Sequence, residues 1–376
     1  MDDFIYMNNA ATSWPKPPDV ADAVSRCLTD LPGSANRGGI EHFNVFCEVR
    51  NKLSLSLGVK AKEHIALGSN ATWALNLALF GYPFKRGDNV LTSKSEHNSV
   101  LRPLYELKRR GLINVTYLDT DKTGRISPDL WKAALKSLEP RLAVFTHASN
   151  ITGAVNDAHT LSQLAKDSGA DVLMDASQTL GFLGMEADGA GIDMVAFTGH
   201  KYLLGPQGTG GLYVRPGLDL HPLLIGGTGS NSDLETMPEE MPSHLEAGTG
   251  NEPSFHGLLA ALLWAEQNPL NIQEQNEKLN LLRNGLSGAG AEVIVPDGAC
   301  TPVISFTIPG KSPQEVGFIL EESYDIICRT GLHCAPKLFD CLGQSGGTIR
   351  LSLSRFTTID EINFVIDAIK DIADEV

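Results

Sequence analysis

The sequence predicts an α/β fold with a large domain built on a mainly parallel sheet and a smaller α+β domain at the C-terminal end. Three observations support this prediction. Short β-rich segments alternate with helical patterns from about residue 64 to residue 215, which is typical of a parallel sheet covered by helices on both faces. After about residue 252 the pattern changes to long helices with few strands. The chain has 376 residues, which favours two domains over one.

In the first part, strand and helix patterns follow one another regularly. Strand patterns occur at "HIALGS", "NVLTS", "NVTYLD", "LAVFTHAS", "ADVLMDAS", "DMVAFTG" and "GGLYVR". Helical patterns lie between them at "ATWALNLALFGY", "SVLRPLYELKRRG", "PDLWKAALKSL" and "AHTLSQLAKDSG".

The C-terminal part begins with one long helical pattern, from "FHGLLAALLWAEQ" onward. The strands "TPVISFTI", "IICR" and "TIRLSLS" and the closing helix "TIDEINFVIDAIKDIADEV" follow. We therefore expect an N-terminal segment over residues 1–20 that joins the small domain, a large domain over 21–255 and a small domain over 256–376.

Composition and charge exclude several classes of function. The formal net charge of −15 and the absence of a basic run argue against a nucleic-acid partner. The N-terminus is acidic where a signal peptide is basic, and no apolar stretch approaches the roughly 18 residues of a membrane span. The six scattered cysteines are too few for a disulfide framework and indicate free thiols in a reducing compartment. We expect a cytoplasmic protein that does not bind membranes.

Polar side chains stand where four predicted strands end, and these ends meet at one edge of a parallel sheet. They are Lys201, Asp175, His97 and Asn150, with Thr72 at the start of a helix. Each alone has a structural explanation: a turn lysine, a helix cap, a satisfied histidine or an N-cap. Together they provide what pyridoxal phosphate requires, namely a lysine to carry it, a carboxylate for its ring nitrogen and a helix N-terminus for its phosphate.

Five motifs resemble those of the cysteine desulfurase and selenocysteine lyase-like family of class V aminotransferase-fold enzymes. They are "NNAATSWPKP", "DASQTLG", "FTGHKYLLGPQGTGGLYV", "EAGTGN" at 246–251 and "RTGLHCAP" at 329–336, and the resemblance covers nearly the whole chain. It implies the type I fold of pyridoxal-phosphate-dependent transferases, pyridoxal 5'-phosphate as cofactor and a homodimer.

The resemblance also implies roles for individual residues. For the cofactor these are Lys201 as its carrier, Asp175 at the ring nitrogen, Gln178 at the ring hydroxyl, His97 stacked on the ring, Ala71, Thr72, Thr198 and His200 around the phosphate, Asn150, and Thr249 from the other subunit. For an amino-acid substrate they are Ala10, Asn36, Arg37, Asn150 and Arg350, and for catalysis Lys201, Cys334 and His97. Without the resemblance, Arg350 could equally be a surface strand arginine.

Cys334 decides which reaction is expected. It follows the strand pattern "IICR" in a turn-rich segment, so we expect it to be exposed, and Cys328 within the strand to be buried and inert. The spacing of Cys328, Cys334, Cys341 and His333 matches no usual ligand set, so no metal site is predicted. In the family, such a cysteine takes sulfur from cysteine as a persulfide and releases alanine. The segment that carries Cys334 is short, and in this respect the chain resembles the short-loop branch of the family, in which an acceptor protein comes to the enzyme.

Two departures from the family pattern leave alternatives open. Asn36 stands where short-loop desulfurases commonly have a histidine, and Leu332 replaces one histidine of the usual "GHHCA". The alternatives are a selenocysteine lyase, another β-eliminating lyase, or an aminotransferase-type enzyme in which Cys334 is incidental. A docking protein that has lost catalysis is disfavoured because the lysine and the aspartate are both present. The glycine-rich "GPQGTGGLYV" precedes a strand and lacks G-x-G-x-x-G, which excludes a nucleotide loop.

Overall fold

A seven-stranded sheet forms the centre of the computed structural model, which describes residues 4–30, 43–229 and 233–374. The strands are β1 Ile5–Tyr6, β2 Ile65–Gly68, β3 Asp88–Ser93, β4 Ile113–Leu118, β5 Leu142–Thr146, β6 Asp171–Asp175, β7 Met194–Thr198, β8 Gly210–Val214, β9 Glu292–Ile294, β10 Val303–Thr307, β11 Ile326–Ile327, β12 Arg329–Gly331 and β13 Thr348–Ser352. The helices are α1 Pro18–Thr29, α2 Val45–Leu57, α3 Ala71–Gly81, α4 Asn98–Arg109, α5 Pro128–Leu138, α6 Ala158–Asp167, α7 Ala187–Ala190, α8 Glu252–Gln267, α9 Ile272–Gly288, α10 Pro313–Tyr324, α11 Leu338–Leu342 and α12 Ile359–Asp374.

The order of the central sheet is β2-β8-β7-β6-β5-β3-β4. Only β8 runs antiparallel to its neighbours, so the predicted mainly parallel sheet is confirmed. Every residue of β5 and β7 is buried, because helices cover both faces. Alternate residues enter two separate cores: Phe145 lies in one cluster and Val144 in the other.

A second sheet has the order β12-β13-β10-β9 and is antiparallel throughout. Beside it, β1 pairs with β11 in parallel, and Met7 is buried in the same core as Phe306 and Ile349. The N-terminal segment thus packs with elements near the C-terminal end of the chain. The domain boundaries given above stay a prediction.

The predicted strand "IICR" is wrong as a single strand. It divides into β11 and β12, which pair with different strands, β1 and β13. The long helical pattern also divides, into α8 and α9, because Pro269 cannot continue a helix and the Asn271 side chain caps α9 by accepting from the Glu274 N–H over 3.2 Å. Helices α1, α2, α7, α10 and α11 and strands β1 and β9 were not predicted. Within the described ranges, no helix is both long and apolar enough to cross a membrane.

Candidate active site

A cavity of about 210 Å³ lies at the edge of the central sheet where the parallel strands end. The sequence-predicted residues that line it are Ala10, Ala71, Thr72, His97, Asn150, Asp175, Gln178, Thr198, His200, Lys201 and Arg350. They come from the N-terminal segment, from the segments that end or follow β3, β5, β6 and β7, from the start of α3 and from β13. Residues distant in the sequence therefore meet as the strand-end argument predicts.

Four predicted residues are not in this lining. Cys334 lines an adjoining, more open groove that shares Thr72 and His97 with the cavity. Thr249 is exposed at the surface. Asn36 and Arg37 lie outside the described residues.

Lys201 stands three residues after β7 in a tight turn, whose Leu204 N–H donates to the Lys201 carbonyl over 2.9 Å. Its amine faces the cavity and forms no hydrogen bond with any residue that the structure describes. Burial lowers the pKa of Lys201 to about 8; Asp175 acts against this shift and Arg350 adds to it. About a tenth of the amine is therefore uncharged at pH 7, far more than for an ordinary lysine, and the uncharged amine is the form required of a nucleophile or base.

Asp175 is the last residue of β6 and is only 4% exposed. Its Oδ1 accepts hydrogen bonds from the backbone N–H and the hydroxyl of Ser177, over 2.9 and 2.5 Å. Oδ2 has no hydrogen-bond partner within the described ranges and borders the cavity. One carboxylate oxygen is thus fixed by its own chain, and the other is open to a protonated ring nitrogen.

The start of α3 forms the anion-binding end of the cavity. Asn70 caps the helix by accepting from the Trp73 N–H over 2.9 Å, which leaves the N–H groups of Ala71 and Thr72 without an acceptor in the part of the chain described. The helix can approach β8 closely because residue 210 is glycine: a Cβ there would lie 2.7 Å from Cα of Asn70. Free N–H groups at a helix N-terminus bind phosphate.

Two further side chains of the cavity carry buried polar atoms that lack a partner among the described residues: Nδ1 of His200 and Oε1 of Gln178. The other amide atom of Gln178, Nε2, donates to the Ala10 carbonyl over 3.0 Å. Burial lowers the pKa of His200 to about 4, so its ring is neutral. Buried polar atoms rarely stay unpaired, and these two indicate that the cavity receives a polar molecule.

His97 is the N-cap residue of α4. Its Nδ1 accepts from the Ser99 N–H over 3.1 Å, which assigns the ring proton to Nε2. Burial, with Lys201 as the next cause, lowers the pKa of His97 to about 4. The cavity wall therefore presents a neutral imidazole whose orientation is fixed by α4, as stacking on a flat ring requires.

Arg350 is fully buried at the centre of β13, which excludes the surface-arginine interpretation. Nη1 donates to the Asn150 carbonyl over 2.8 Å and Nη2 to Oδ1 of Asn8 over 2.9 Å, while Nε is unpaired among the described residues. Burial, and next the Arg329 charge, lowers the pKa of Arg350 to about 9. The buried Arg350 and the half-buried Arg329 beside it favour an anionic guest, and a planar guanidinium matches a carboxylate.

Cys334 lies in a strained and well-fixed loop. Both His333 and Cys334 have positive φ, 47° and 62°, a conformation that L-residues rarely adopt. The loop is held where the Asn98 N–H donates to the Cys334 carbonyl and the Asn150 amide donates to the His333 carbonyl, each over 2.7 Å. Backbone strain of this kind is typical of functional sites.

The exposure predicted for Cys334 is wrong, because its side chain is half-buried. Nη2 of Arg329 donates to its Sγ over 3.0 Å and covers it. Cys328 is also half-buried, and burial raises the pKa of its thiol to about 12. Of these two cysteines, Cys334 is the one that borders the groove next to the cavity.

Sequence reasoning missed several residues at the site. Ser177 and Ser99 line the cavity and orient Asp175 and His97; their hydroxyls, two positions after each partner, were a usable local signal. Arg329 lines the cavity as well. Asn8 reaches Arg350 across 342 positions of sequence, and no local pattern could have indicated that contact.

Comparisons with known proteins identify the family to which the chain belongs. The family model described as aminotransferase class-V matches residues 5–365. A protein of Methanothermobacter thermautotrophicus named probable cysteine desulfurase is 31% identical, over 99% of this chain and 95% of that protein. One of Pyrococcus abyssi with the same name is 29% identical, over 98% and 94%. The solved apo structure of a cysteine desulfurase from Thermococcus onnurineus has a TM-score of 0.91 and 27% identity, over 99% and 95%.

Proposed function

We propose that this chain, which belongs to the aminotransferase class-V family, is a pyridoxal-phosphate-dependent cysteine desulfurase that converts L-cysteine to L-alanine and retains the sulfur as a persulfide on Cys334. The observation that carries the proposal is the position of Cys334. Its fixed loop borders a groove that shares residues with the cavity containing Lys201, Asp175 and Arg350. Relatives named as cysteine desulfurases support it.

The described residues fit the proposed cofactor. The N–H groups of Ala71 and Thr72 and the unpaired Nδ1 of His200 suit the phosphate, while the unpaired Oε1 of Gln178 suits the ring hydroxyl. Oδ2 of Asp175 would hold the proton on the ring nitrogen. When bound, this group supplies an electron sink that weakens the bonds at the substrate Cα.

The protein side chains would then act in a set order. Arg350 binds the carboxylate of cysteine, with Arg329 beside it. The Lys201 amine removes the proton from the substrate Cα. The Cys334 sulfur attacks the sulfur of the substrate: an S–S bond forms, the C–S bond breaks and the carbon skeleton takes up a proton to leave as alanine. Cysteine and one thiol thus give alanine and one persulfide.

Three further features belong to the same proposal. Glu246 accepts from the Leu67 N–H over 2.6 Å and pairs with Arg50, which fixes the segment that precedes the exposed Thr249. A homodimer would let Thr249 reach the partner's phosphate site.

Because the Cys334 loop is held in place, an acceptor protein must come to it for sulfur. The six free thiols favour the cytoplasm.

The test measures alanine and persulfide from L-cysteine. The wild-type protein should release alanine and gain the mass of one sulfur on the peptide containing Cys334. Cys334→Ser should bind cofactor and cysteine but release almost no alanine, while Cys341→Ser, a change at another half-buried cysteine, should behave as wild type. Full turnover by Cys334→Ser with no persulfide on the wild-type peptide would leave a different lyase or an aminotransferase. The same assay with selenocysteine distinguishes the selenocysteine lyase alternative.

A further inference from the structure

A second cavity, which we call the rear pocket, lies behind the candidate active site. It has a volume of about 110 Å³. Its lining is Asn9, Ser13, Gly181, Phe182, Tyr202, Leu204, Ala265, Leu270, Gln275, Pro302, Ser354 and Arg355. Asn9 and Tyr202 directly adjoin Ala10 and Lys201 in sequence, so segments that wall the active-site cavity also wall the rear pocket.

Most of the rear pocket is apolar, but three polar side chains in its lining, those of Tyr202, Gln275 and Arg355, lack a hydrogen-bond partner among the described residues. Gln275 is only 3% exposed, and its side-chain amide has no hydrogen bond to any residue that the structure describes. Arg355 packs its guanidinium over the Trp264 ring, 5.0 Å from the ring centre. Neither an ion pair nor a hydrogen bond of Arg355 is found within the described ranges. The Tyr202 hydroxyl is buried without a partner among the described residues. Such a group costs free energy, which a polar guest would offset.

The charge of the rear pocket specifies the kind of guest. None of the lining residues is acidic, so the Arg355 cation is not neutralised there, although the whole chain has a formal charge of −15. Burial lowers the pKa of Arg355 from its ordinary value, as expected for a cation removed from water without a counter-ion. A carboxylate would pair with the guanidinium and accept from the Gln275 amide.

The remaining walls limit the rest of the guest. Phe182, Leu204 and Leu270 offer apolar surface. A cavity of about 150 Å³ in another protein holds one benzene molecule, so the rear pocket has space for a carboxylate and a short hydrocarbon chain. We propose that the rear pocket is a second binding site, separate from the active site, for small monocarboxylates with a short apolar tail.

The test uses trifluorobutyrate as probe, observed by fluorine NMR with the cofactor-loaded protein. Binding should broaden the probe signal, and trifluorobutyramide, which has the same shape without the charge, should bind much more weakly. Arg355→Gln should weaken the affinity roughly tenfold or more. Arg26→Gln is the matched control, because it removes one positive charge at an exposed site on α1 and should leave binding unchanged.

Two more variants locate the bound probe. Ala265→Leu should fill the rear pocket and abolish binding while keeping Arg355, so the proposal stays testable if Arg355→Gln folds poorly. Arg350→Gln should not affect binding. The proposal is overturned if the wild-type protein does not bind the probe at millimolar concentration, which would mean that water alone pairs Gln275 and Arg355. Equal binding of the amide, or loss of binding in Arg350→Gln alone, would also overturn it.

Discussion

Arg329 Nη2 donates a hydrogen bond to Cys334 Sγ over 3.0 Å, and the same arginine is the cross-strand partner of Arg350. One guanidinium therefore connects the proposed sulfur nucleophile with the proposed carboxylate receptor. A substrate carboxylate bound at Arg350 would compete for Arg329 and so affect the contact that holds the sulfur. We therefore expect substrate binding and release of the Cys334 side chain to be coupled through this residue.

Arg329→Lys tests this coupling. Lysine keeps the positive charge but lacks the planar fork that can hold a sulfur and a carboxylate in fixed directions. We expect kcat for alanine release to fall roughly tenfold or more, with a smaller change in KM. Arg86→Lys, at an exposed position, is the control. A change in KM alone would show that Arg329 acts only in substrate binding.

The positive φ of Cys334 gives a prediction about stability. Glycine adopts a φ of 62° without strain, whereas alanine carries a steric cost of about 1 kcal/mol or more. The Asn98 hydrogen bond to the residue 334 carbonyl remains in both variants, so Cys334→Gly should be at least as stable as Cys334→Ala despite its greater freedom when unfolded. Urea unfolding of the two variants measures the difference. A clearly less stable glycine variant would mean that this loop is not left-handed in solution.

The pKa of about 8 for Lys201 predicts how the apoprotein takes up its cofactor. Only the uncharged amine reacts with a carbonyl group, so the rate of uptake should fall about tenfold for each pH unit below pH 8 and level off above it. Stopped-flow absorbance of pyridoxal phosphate binding measures this profile. Lys201→Ala should lose the visible band entirely, while Lys132→Ala, at an exposed position on α5, should retain it. An uptake rate that does not change between about pH 6 and about pH 9 would contradict the lowered pKa of Lys201.

The sequence predicted the positions of side chains that follow strands, because strand direction alone brings them to one edge of the sheet. Lys201, Asp175 and His97 were found in this way. It did not predict contacts that depend on how the two sheets pack. The hydrogen bond from Arg350 to Asn8 is of this kind, because the two residues are 342 positions apart and no periodic signal links them. The hydrogen bond from Arg329 to Cys334 spans only five positions, but it depends on the conformation of a turn-rich loop, which no periodic signal specifies.

The shared site proposed for the homodimer can be tested by mixing variants. Thr249→Ala should weaken cofactor retention, since a hydroxyl near the phosphate is lost. Mixing it with Lys201→Ala should give hybrid dimers in which one of the two sites has both residues intact, and activity should return. Mass spectrometry must confirm that hybrids form. If they form and stay inactive, Thr249 acts within its own chain.

Glu96 predicts how stability depends on pH. It is fully buried, and its Oε1 accepts from the Ser93 hydroxyl and the Thr146 N–H, over 2.5 and 3.1 Å. Burial raises the pKa of Glu96 to about 8 from an ordinary value of 4.5. Between these two pH values the unfolded chain has lost the proton that the folded protein keeps, so the free energy of unfolding falls as pH rises and becomes level above about pH 8.

Glu96→Gln keeps an acceptor at the same position but does not titrate. The free energy of unfolding of Glu96→Gln relative to that of wild type should increase from about pH 5 to about pH 8 and stay constant above that. Glu63→Gln, at an exposed position, should show no such increase. Urea unfolding midpoints measured across this pH range test the prediction. If the midpoints of wild type and Glu96→Gln change with pH in parallel, Glu96 is ionised in the folded protein.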